Sequence, residues 1–327
     1  MSILVTGGAG YIGSQAVRDL RRAGREVVVL DSLEFGHPGA VPGVPLVVAD
    51  IADSDAVAST VREHGVDSVI HFAAYKAAGE SVELPGRYFD NNVAKSAALL
   101  DTLDACKVRT IVFSSSCSVY GTPSQLPVDE SHPLAPESPY AESKLMVEKM
   151  LSWYDTSRAT RSVSLRYFNA AGADLDGAHG EDWRVTLNLV PLVMKAAVGS
   201  TPDIKVFGTD YDTPDGTAIR DYVHVVDLAD AHVRAIDYLQ RGGASTVVNL
   251  GTGRGSSVLE VIDVARQVSG REIPIDKLGR RAGDPVAVYA DLRRAADVLG
   301  WQAQYGLDVI IESAWRWHST HPDGYPV

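Results

Sequence analysis

A phenol and an ammonium stand four residues apart in Ser138-Pro139-Tyr140-Ala141-Glu142-Ser143-Lys144. Ser138 is a good N-cap, and Pro139 suits the first helical position, where its fixed φ helps and its missing N–H costs nothing. Helical spacing then sets Tyr140 and Lys144 on one face, continued by Val147, Leu151 and Tyr154. Such a pair can do acid–base chemistry on a hydroxyl: a phenolate takes the proton, and a cation beside it eases ionisation. A phenol titrates near pH ~10, so acting as a base at neutral pH takes about 4 kcal/mol of help. On its own, Tyr-x-x-x-Lys is an ordinary helix surface, and its meaning depends on the elements that position it.

Those elements begin with Ile3-Leu4-Val5, a buried strand that runs into Thr6-Gly7-Gly8-Ala9-Gly10-Tyr11-Ile12-Gly13, followed by Ala16, Val17, Leu20 and Ala23 at helical spacing. In this strand, turn and helix, Gly7 permits the tight turn, Gly10 lets the backbone approach a pyrophosphate, and Gly13 allows close helix packing. The spacing is Gly-x-x-Gly-x-x-Gly. A second strand, Val27 to Leu30, ends at Asp31, 18 residues past Gly13. A carboxylate there accepts both ribose hydroxyls of adenosine and repels a 2′-phosphate, so NAD is expected over NADP. A third strand, Pro45 to Val48, leads to Asp50-Ile51, placed to meet an adenine, and Asp53 caps a helix ending near His64. A bound nicotinamide would add its positive charge to that of Lys144.

Ser68 to His71 is the fourth strand, and Phe72-Ala73-Ala74-Tyr75-Lys76 is the loop at its carboxyl end, where parallel sheets bind ligands. His71 reads as a satisfied core histidine and Lys76 as a cation beside the cofactor. A helix with Asn91, Asn92, Leu99, Leu100 and Leu103 follows, then a fifth strand, Arg109 to Phe113, that ends in Ser114-Ser115-Ser116. One of these serines can bond the phenol or the reacting hydroxyl. With the sixth strand, Val163 to Tyr167, the alternation describes an α/β fold with a Rossmann-type doubly wound parallel sheet.

After Phe168-Asn169 the loops lengthen and the strands shorten, which predicts a boundary near 170: residues 1–170 bind the dinucleotide, and 171–327 form a smaller mixed α/β substrate-binding region. Ala218 to Val223 and Thr246 to Leu250 are candidates to return to the sheet, and Asp203 to Gly216 is the most loop-like stretch. Asp227 and Ser257 are expected to cap helices, and Leu307 to His318 is a last helix with Trp315 and Trp317 as packing residues.

At 327 residues the chain can bury a large core. Its net charge of −12, with signs mixed throughout, supplies no basic stripe for nucleic acid. An anionic ligand must therefore be held by a few placed arginines, and Arg220 and Arg281 offer forked guanidinium groups suited to phosphate. Cys106 and Cys117 have neither metal spacing nor a disulfide framework, so no metal is expected and a reducing cytoplasm fits. The N-terminus enters a strand directly and no apolar run is long enough for a bilayer, so a soluble, unprocessed protein without membrane contact is expected.

Nearly the whole length resembles the UDP-glucose 4-epimerases, within the extended short-chain dehydrogenase/reductase family. The glycine turn and Tyr-x-x-x-Lys mark the broad family. The loop Lys76-Ala77-Ala78-Gly79-Glu80-Ser81, the segment Ile219-Arg220-Asp221-Tyr222-Val223 and the tail His321-Pro322-Asp323-Gly324-Tyr325-Pro326 are similar to the epimerases themselves. The resemblance implies that Tyr140 is the base, Lys144 its partner and ribose ligand, and Ser116 the hydroxyl partner. NAD would be held by Gly7, Gly10, Tyr11, Ile12, Gly13, Asp31, Asp50, Ile51, Phe72, Ala73, Lys76 and Asn92. The UDP-sugar would be held by Asn169, Asn188, Phe207, Arg220, Arg281 and Asp284, and a homodimer would form through helices around 90–105 and 140–155.

Two positions depart from related patterns. Sugar-nucleotide dehydratases carry an acidic pair where this chain has Cys117 and Ser118, and some epimerases carry a bulky Tyr where it has Val288. Val288 is therefore expected to leave room for an N-acetyl group, admitting UDP-GlcNAc and UDP-GalNAc beside UDP-glucose and UDP-galactose. Competing readings are an epimerase of a UDP-pentose or UDP-glucuronate, a dehydratase, and a non-catalytic nucleotide-binding regulator.

Overall fold

The computed structural model describes residues 2–182, 186, 188–281 and 283–325. Pro326, the last residue of the quoted tail, lies outside the described residues. In chain order the first half runs β1 (Ser2–Thr6), α1 (Tyr11–Arg22), β2 (Glu26–Asp31), β3 (Leu46–Val48), α2 (Ser54–His64), β4 (Val66–His71), α3 (Ala78–Glu83), α4 (Pro85–Tyr88), a π-helical turn (Phe89–Ala94), α5 (Lys95–Ala105), β5 (Thr110–Ser116), α6 (Pro139–Arg158) and β6 (Arg161–Tyr167). It continues with β7 (Asn169–Ala171), α7 (Leu189–Ala197), β8 (Ile204–Phe207), β9 (Ile219–Arg220), β10 (Tyr222–His224), α8 (Val225–Gln240), β11 (Thr246–Leu250), β12 (Ser256–Ser257), α9 (Val258–Ser269), β13 (Ile275–Leu278), β14 (Ala287–Val288), α10 (Arg293–Leu299) and α11 (Leu307–Thr320).

Seven strands form one parallel sheet in the order β11-β6-β5-β4-β1-β2-β3. The order reverses between β1 and β4, which opens a crevice at their carboxyl ends. The central strands carry apolar residues on both faces, such as Ile3 to Val5 in β1, Val69-Ile70 in β4 and Ile111 to Phe113 in β5, because both faces of the sheet are covered. Ile3, Val5, Val29 and Val163 face α1 and α8, while Leu4, Val28, Val69 and Phe113 face α2, α5 and α6. A second core joins α7, α9 and α11 through Val193, Met194, Ile262, Ile310 and Ile311.

Local capping fixes several helix starts as expected. Asp53 accepts from Ala56 N, Ser138 accepts from Ala141 N with Pro139 next, and Ser257 forms a reciprocal capping box with Glu260. Three expectations are corrected. Asp227 caps nothing: α8 begins earlier, capped by the His224 ring, and the Asp227 carboxylate instead accepts from Gln304 N and Tyr305 N. The stretch Asp203 to Gly216 contains a strand, β8, whose edge is satisfied by β13 from seventy residues later. Of the two segments proposed to rejoin the sheet, Thr246–Leu250 does so beside β6, whereas Ala218 to Val223 splits into β9, paired with β12 and β14, and β10, paired with β7.

Candidate active site

The sheet's carboxyl edge gathers the ends of β1, β2, β4 and β5. At the end of β1 the chain turns at Gly7, with φ +69° and its N–H donating to Leu30 O at 2.9 Å. A Cβ on Gly7 would lie 2.6 Å from Ala73 N, and one on Gly13 would lie 2.3 Å from Gly7 O. Both positions therefore demand glycine. Gly10 has more space and precedes α1, which starts without a side-chain cap, so its leading N–H groups remain available to an anion. Phe72 N and Ala73 N both donate to Thr6 O, which fastens the loop after β4 against this turn. Ile12 packs on the sheet's apolar core.

Asp31 is buried at the end of β2, where Oδ2 accepts from Ala9 N and Oδ1 from Leu33 N, each at 2.9 Å. Each oxygen retains a lone pair for a ribose hydroxyl. Asp50 pairs with Lys95 at 2.6 Å; partial burial, which raises its pKa, is outweighed by the bonds from Lys95 and Ala52 N, so the carboxyl sits below its ordinary value. Ile51 beside it is buried in the core. Asn92, on the π-helical turn, accepts from Tyr75 N and donates to Tyr75 O and Ser143 Oγ, binding the loop after β4 to α6. The cradle thus fits a dinucleotide: a turn a Cβ would block, an uncapped helix start, and a buried carboxylate one strand away. Tyr11 faces elsewhere, donating to Gly172 O at 2.6 Å, and Lys76 pairs with Glu181 at 2.8 Å.

Tyr140 and Lys144 occupy the first turns of α6 as the spacing predicts. Burial pushes the Tyr140 phenol upward and Tyr167 adds to the rise, while the Ser116 hydroxyl facing it works the other way. Ser116 Oγ accepts from Ser118 N at 3.2 Å and Ser118 Oγ at 2.9 Å, which leaves its own proton to donate. Lys144 follows one turn further along α6. Its Nζ donates to Ser114 O at 2.9 Å and lies 5.9 Å from the Tyr140 ring centre. Burial lowers its pKa to about 7 against the opposing pull of Glu148. His71 is the core histidine expected, bonded to Thr6 Oγ1 and Ser96 Oγ, with burial and then Lys144 lowering it to about 3. Where the dehydratases carry acids, burial pushes the Cys117 thiol up to about 12, so it stays neutral.

The small sheet β12-β9-β14 places Arg220 opposite Val288 and lets Arg220 reach Asp284 at 3.5 Å. Arg220 also donates to Ile219 O and Pro285 O, each at 2.8 Å, so one arm is anchored. Arg281 stacks over the Phe207 ring at 4.3 Å. Asn169 is tied to Asp221 O, and Asn188 leads into α7 with Nδ2 on Glu181 at 3.1 Å. Val288 is buried among Val119, Leu145 and Phe168.

Among the described residues, three buried carboxylates beside the candidate site residues escaped sequence reading. Asp221 accepts from Thr252 N, Thr252 Oγ1, Gly253 N and Ala290 N, locking the strand that carries Arg220; burial still leaves its pKa raised. Glu148, one turn beyond Lys144, grips Arg166 through both oxygens and accepts from Ser115 Oγ. Arg166 in turn donates to Tyr120 OH at 2.9 Å. Glu181 is the third. Only the position of Glu148, four residues after Lys144 on the same helix face, carried a signal.

Among known proteins, residues 3–251 match the NAD dependent epimerase/dehydratase family. The chain is 47% identical over 326 residues to the UDP-glucose 4-epimerase of Halalkalibacterium halodurans, covering 99% of this chain and 98% of that one. The crystal structure of UDP-glucose 4-epimerase from Brucella ovis in complex with NAD superposes with a TM-score of 0.94 at 45% identity, covering 96% and 97% of the two chains. That of UDP-glucose 4-epimerase from Bifidobacterium longum in complex with NAD+ and UDP gives 0.94 at 40% identity, covering 99% and 100%.

Proposed function

Because the chain belongs to the NAD dependent epimerase/dehydratase family, we propose that it catalyses NAD-dependent C4 epimerisation of UDP-hexoses, interconverting UDP-galactose and UDP-glucose through a 4-keto sugar. The observation that carries this reading is the Tyr140–Ser116 pair set at the sheet edge beside a turn that admits only glycine. Bound NAD supplies the hydride acceptor and donor for C4 and a positive charge near the phenol.

The chain does the rest. Gly7, Gly10 and Gly13 bring backbone to the pyrophosphate, Asp31 takes the adenosine ribose, Asp50 and Ile51 border the adenine, and Phe72, Ala73, Lys76 and Asn92 line the inner half with Tyr11 and Ile12 behind. Tyr140 removes the O4 proton as the C4 hydride leaves, and gives a proton back to O4 once the keto sugar has turned over and the hydride has returned to the opposite face of C4. Ser116 donates to the phenolate or to the sugar oxygen, and Lys144 meets the cofactor ribose. Arg220 and Arg281 grip the diphosphate, Asp284 the uridine ribose, and Asn169, Asn188 and Phe207 complete the cleft. Held through UDP, the keto sugar is free to turn over.

Neutral Cys117 and Ser118 provide no proton shuttle between C5 and C6, which disfavours dehydration. Residues 1–170 with β11 form the cofactor half and most of 171–327 the UDP-sugar half. Trp153, 72% exposed on α6, supports a homodimer through α5 and α6. No helix among the described residues is long and apolar enough to cross a membrane, and we place the enzyme in the cytoplasm.

Proton NMR in D₂O with UDP-galactose and no added NAD tests the reading. Conversion to the C4 epimer without deuterium at C4 or C5 is expected. Loss of the C6 hydroxyl with deuterium at C5 would establish a dehydratase. Bound NAD with no turnover of this sugar or UDP-GlcNAc would favour first another UDP-sugar, such as a UDP-pentose or UDP-glucuronate, and then a regulator.

A further inference from the structure

Glu181 joins residues from both sides of the cleft. Its side chain is 5% exposed. One oxygen, Oε1, accepts from Lys76 Nζ at 2.8 Å, Asn188 Nδ2 at 3.1 Å and Thr186 Oγ1 at 3.2 Å. The backbone behind it is anchored, because buried Trp317 donates Nε1 to Glu181 O at 3.2 Å. Glu181 also stands near enough to the Tyr11 phenol to oppose its ionisation after burial has done so, which puts the carboxylate just behind the glycine turn. A carboxylate withdrawn this far from water requires a cation. Lys76 brings one from the loop after β4 while keeping its own side chain 56% exposed. An ammonium has three donors, so one spent on Glu181 leaves two for a ligand. The Asn188 amide, with its nitrogen on the same oxygen, is left with its carbonyl to offer.

We propose that Glu181 is a positioning residue that sets Lys76 on the cofactor side and Asn188 on the substrate side together, so that binding at one site strengthens binding at the other. The proposal rests on the functional reading above. A ligand that fixes Lys76 fixes the carboxylate, and a fixed carboxylate holds the Asn188 amide in one orientation. By linkage the effect runs equally in both directions.

The test uses the holoenzyme and two substitutions: Glu181→Gln, a near isostere without charge, and Lys76→Met, at a largely exposed position where folding is not at stake. NAD retained during timed dialysis is measured with and without UDP, and KM and kcat are measured for UDP-galactose. UDP is expected to slow NAD loss from the wild type. In Glu181→Gln this protection should shrink and KM rise, each by about tenfold, the size of one charged hydrogen bond, with kcat changing much less. Lys76→Met, on the cofactor side, should also raise the KM for the UDP-sugar. A purely structural role predicts a lower melting temperature with UDP protection intact, and that result overturns the proposal. So does an active wild type whose NAD loss ignores UDP. A wild type with neither NAD nor turnover overturns the functional reading and this proposal with it.

Discussion

Replacing Glu148 tests whether the buried pair beneath Lys144 supports the site. Arg166 is 3% exposed and Glu148 8%, and the guanidinium spends two of its donors on that one carboxylate. Removing the carboxylate strands a charge with no route to water, which costs about 3–5 kcal/mol. With an unfolding entropy of about 2.1 cal/mol/K per residue, the 327 residues convert that into a fall of roughly 4–7 °C in Tm. Glu148→Leu, Arg166→Met and the double variant should be compared by circular dichroism melts at one fixed, saturating NAD concentration, since a bound ligand shifts Tm. Each single should fall within that range. The double should be less destabilised than the sum by about 2 kcal/mol or more, because two apolar side chains leave nothing uncompensated. The single Glu148 variant also removes the charge that opposes the effect of burial on Lys144, so the pKa of that lysine moves further down. A Tm change under about 1 °C in either single, or strict additivity in the double, refutes the reasoning.

Tyr140→Phe should leave NAD retention intact and lower turnover by at least about 100-fold, the range of a lost general base; a variant within tenfold of wild type would remove Tyr140 from that role. Val288→Tyr should depress activity on UDP-GlcNAc and UDP-GalNAc selectively, and equal loss on both substrate pairs in a coupled assay would sink the assignment of Val288. Acid should destabilise the fold: burial lowers His71 and His318 to about 3 and His179, His224 and His232 to about 4. Unfolded histidines bind protons below about 6.5, so between there and 4 the unfolded state holds more protons and stability falls with pH, by up to about 1.4 kcal/mol per pH unit for each group. Denaturant midpoints measured from pH 7 to 4 check this, and a flat profile contradicts it.

Local chemistry made the first half of the chain legible. Gly7 and Gly13 are required by contacts to backbone within one turn and its neighbouring loop, and Ser138, Asp53 and Ser257 cap helices within three residues of themselves. What escaped reading depends on distant partners: Glu181 meets Lys76 across 105 positions, Asp221 meets Ala290 across 69, and Asp227 meets Gln304 across 77. An acidic residue near a turn looks the same whether it caps a helix or anchors a far loop. Lys144 is a different case. Its place on the helix was plain, but its proton affinity depends on how completely the fold encloses it, and that follows from packing rather than spacing.

The return of Thr246–Leu250 to the edge of the large sheet has a consequence for synthesis. When β6 leaves the ribosome, its outer edge has no neighbour, and the strand that covers it is made roughly 80 residues later, about 4–16 s at ordinary elongation rates. During that interval Ser162 to Arg166 presents a row of unpaired N–H and C=O groups, with Val163 and Leu165 alongside, open to another nascent chain. Fragments cut near residue 170 should keep that exposed edge permanently and aggregate, whereas a chain extended to residue 250 carries its own cover.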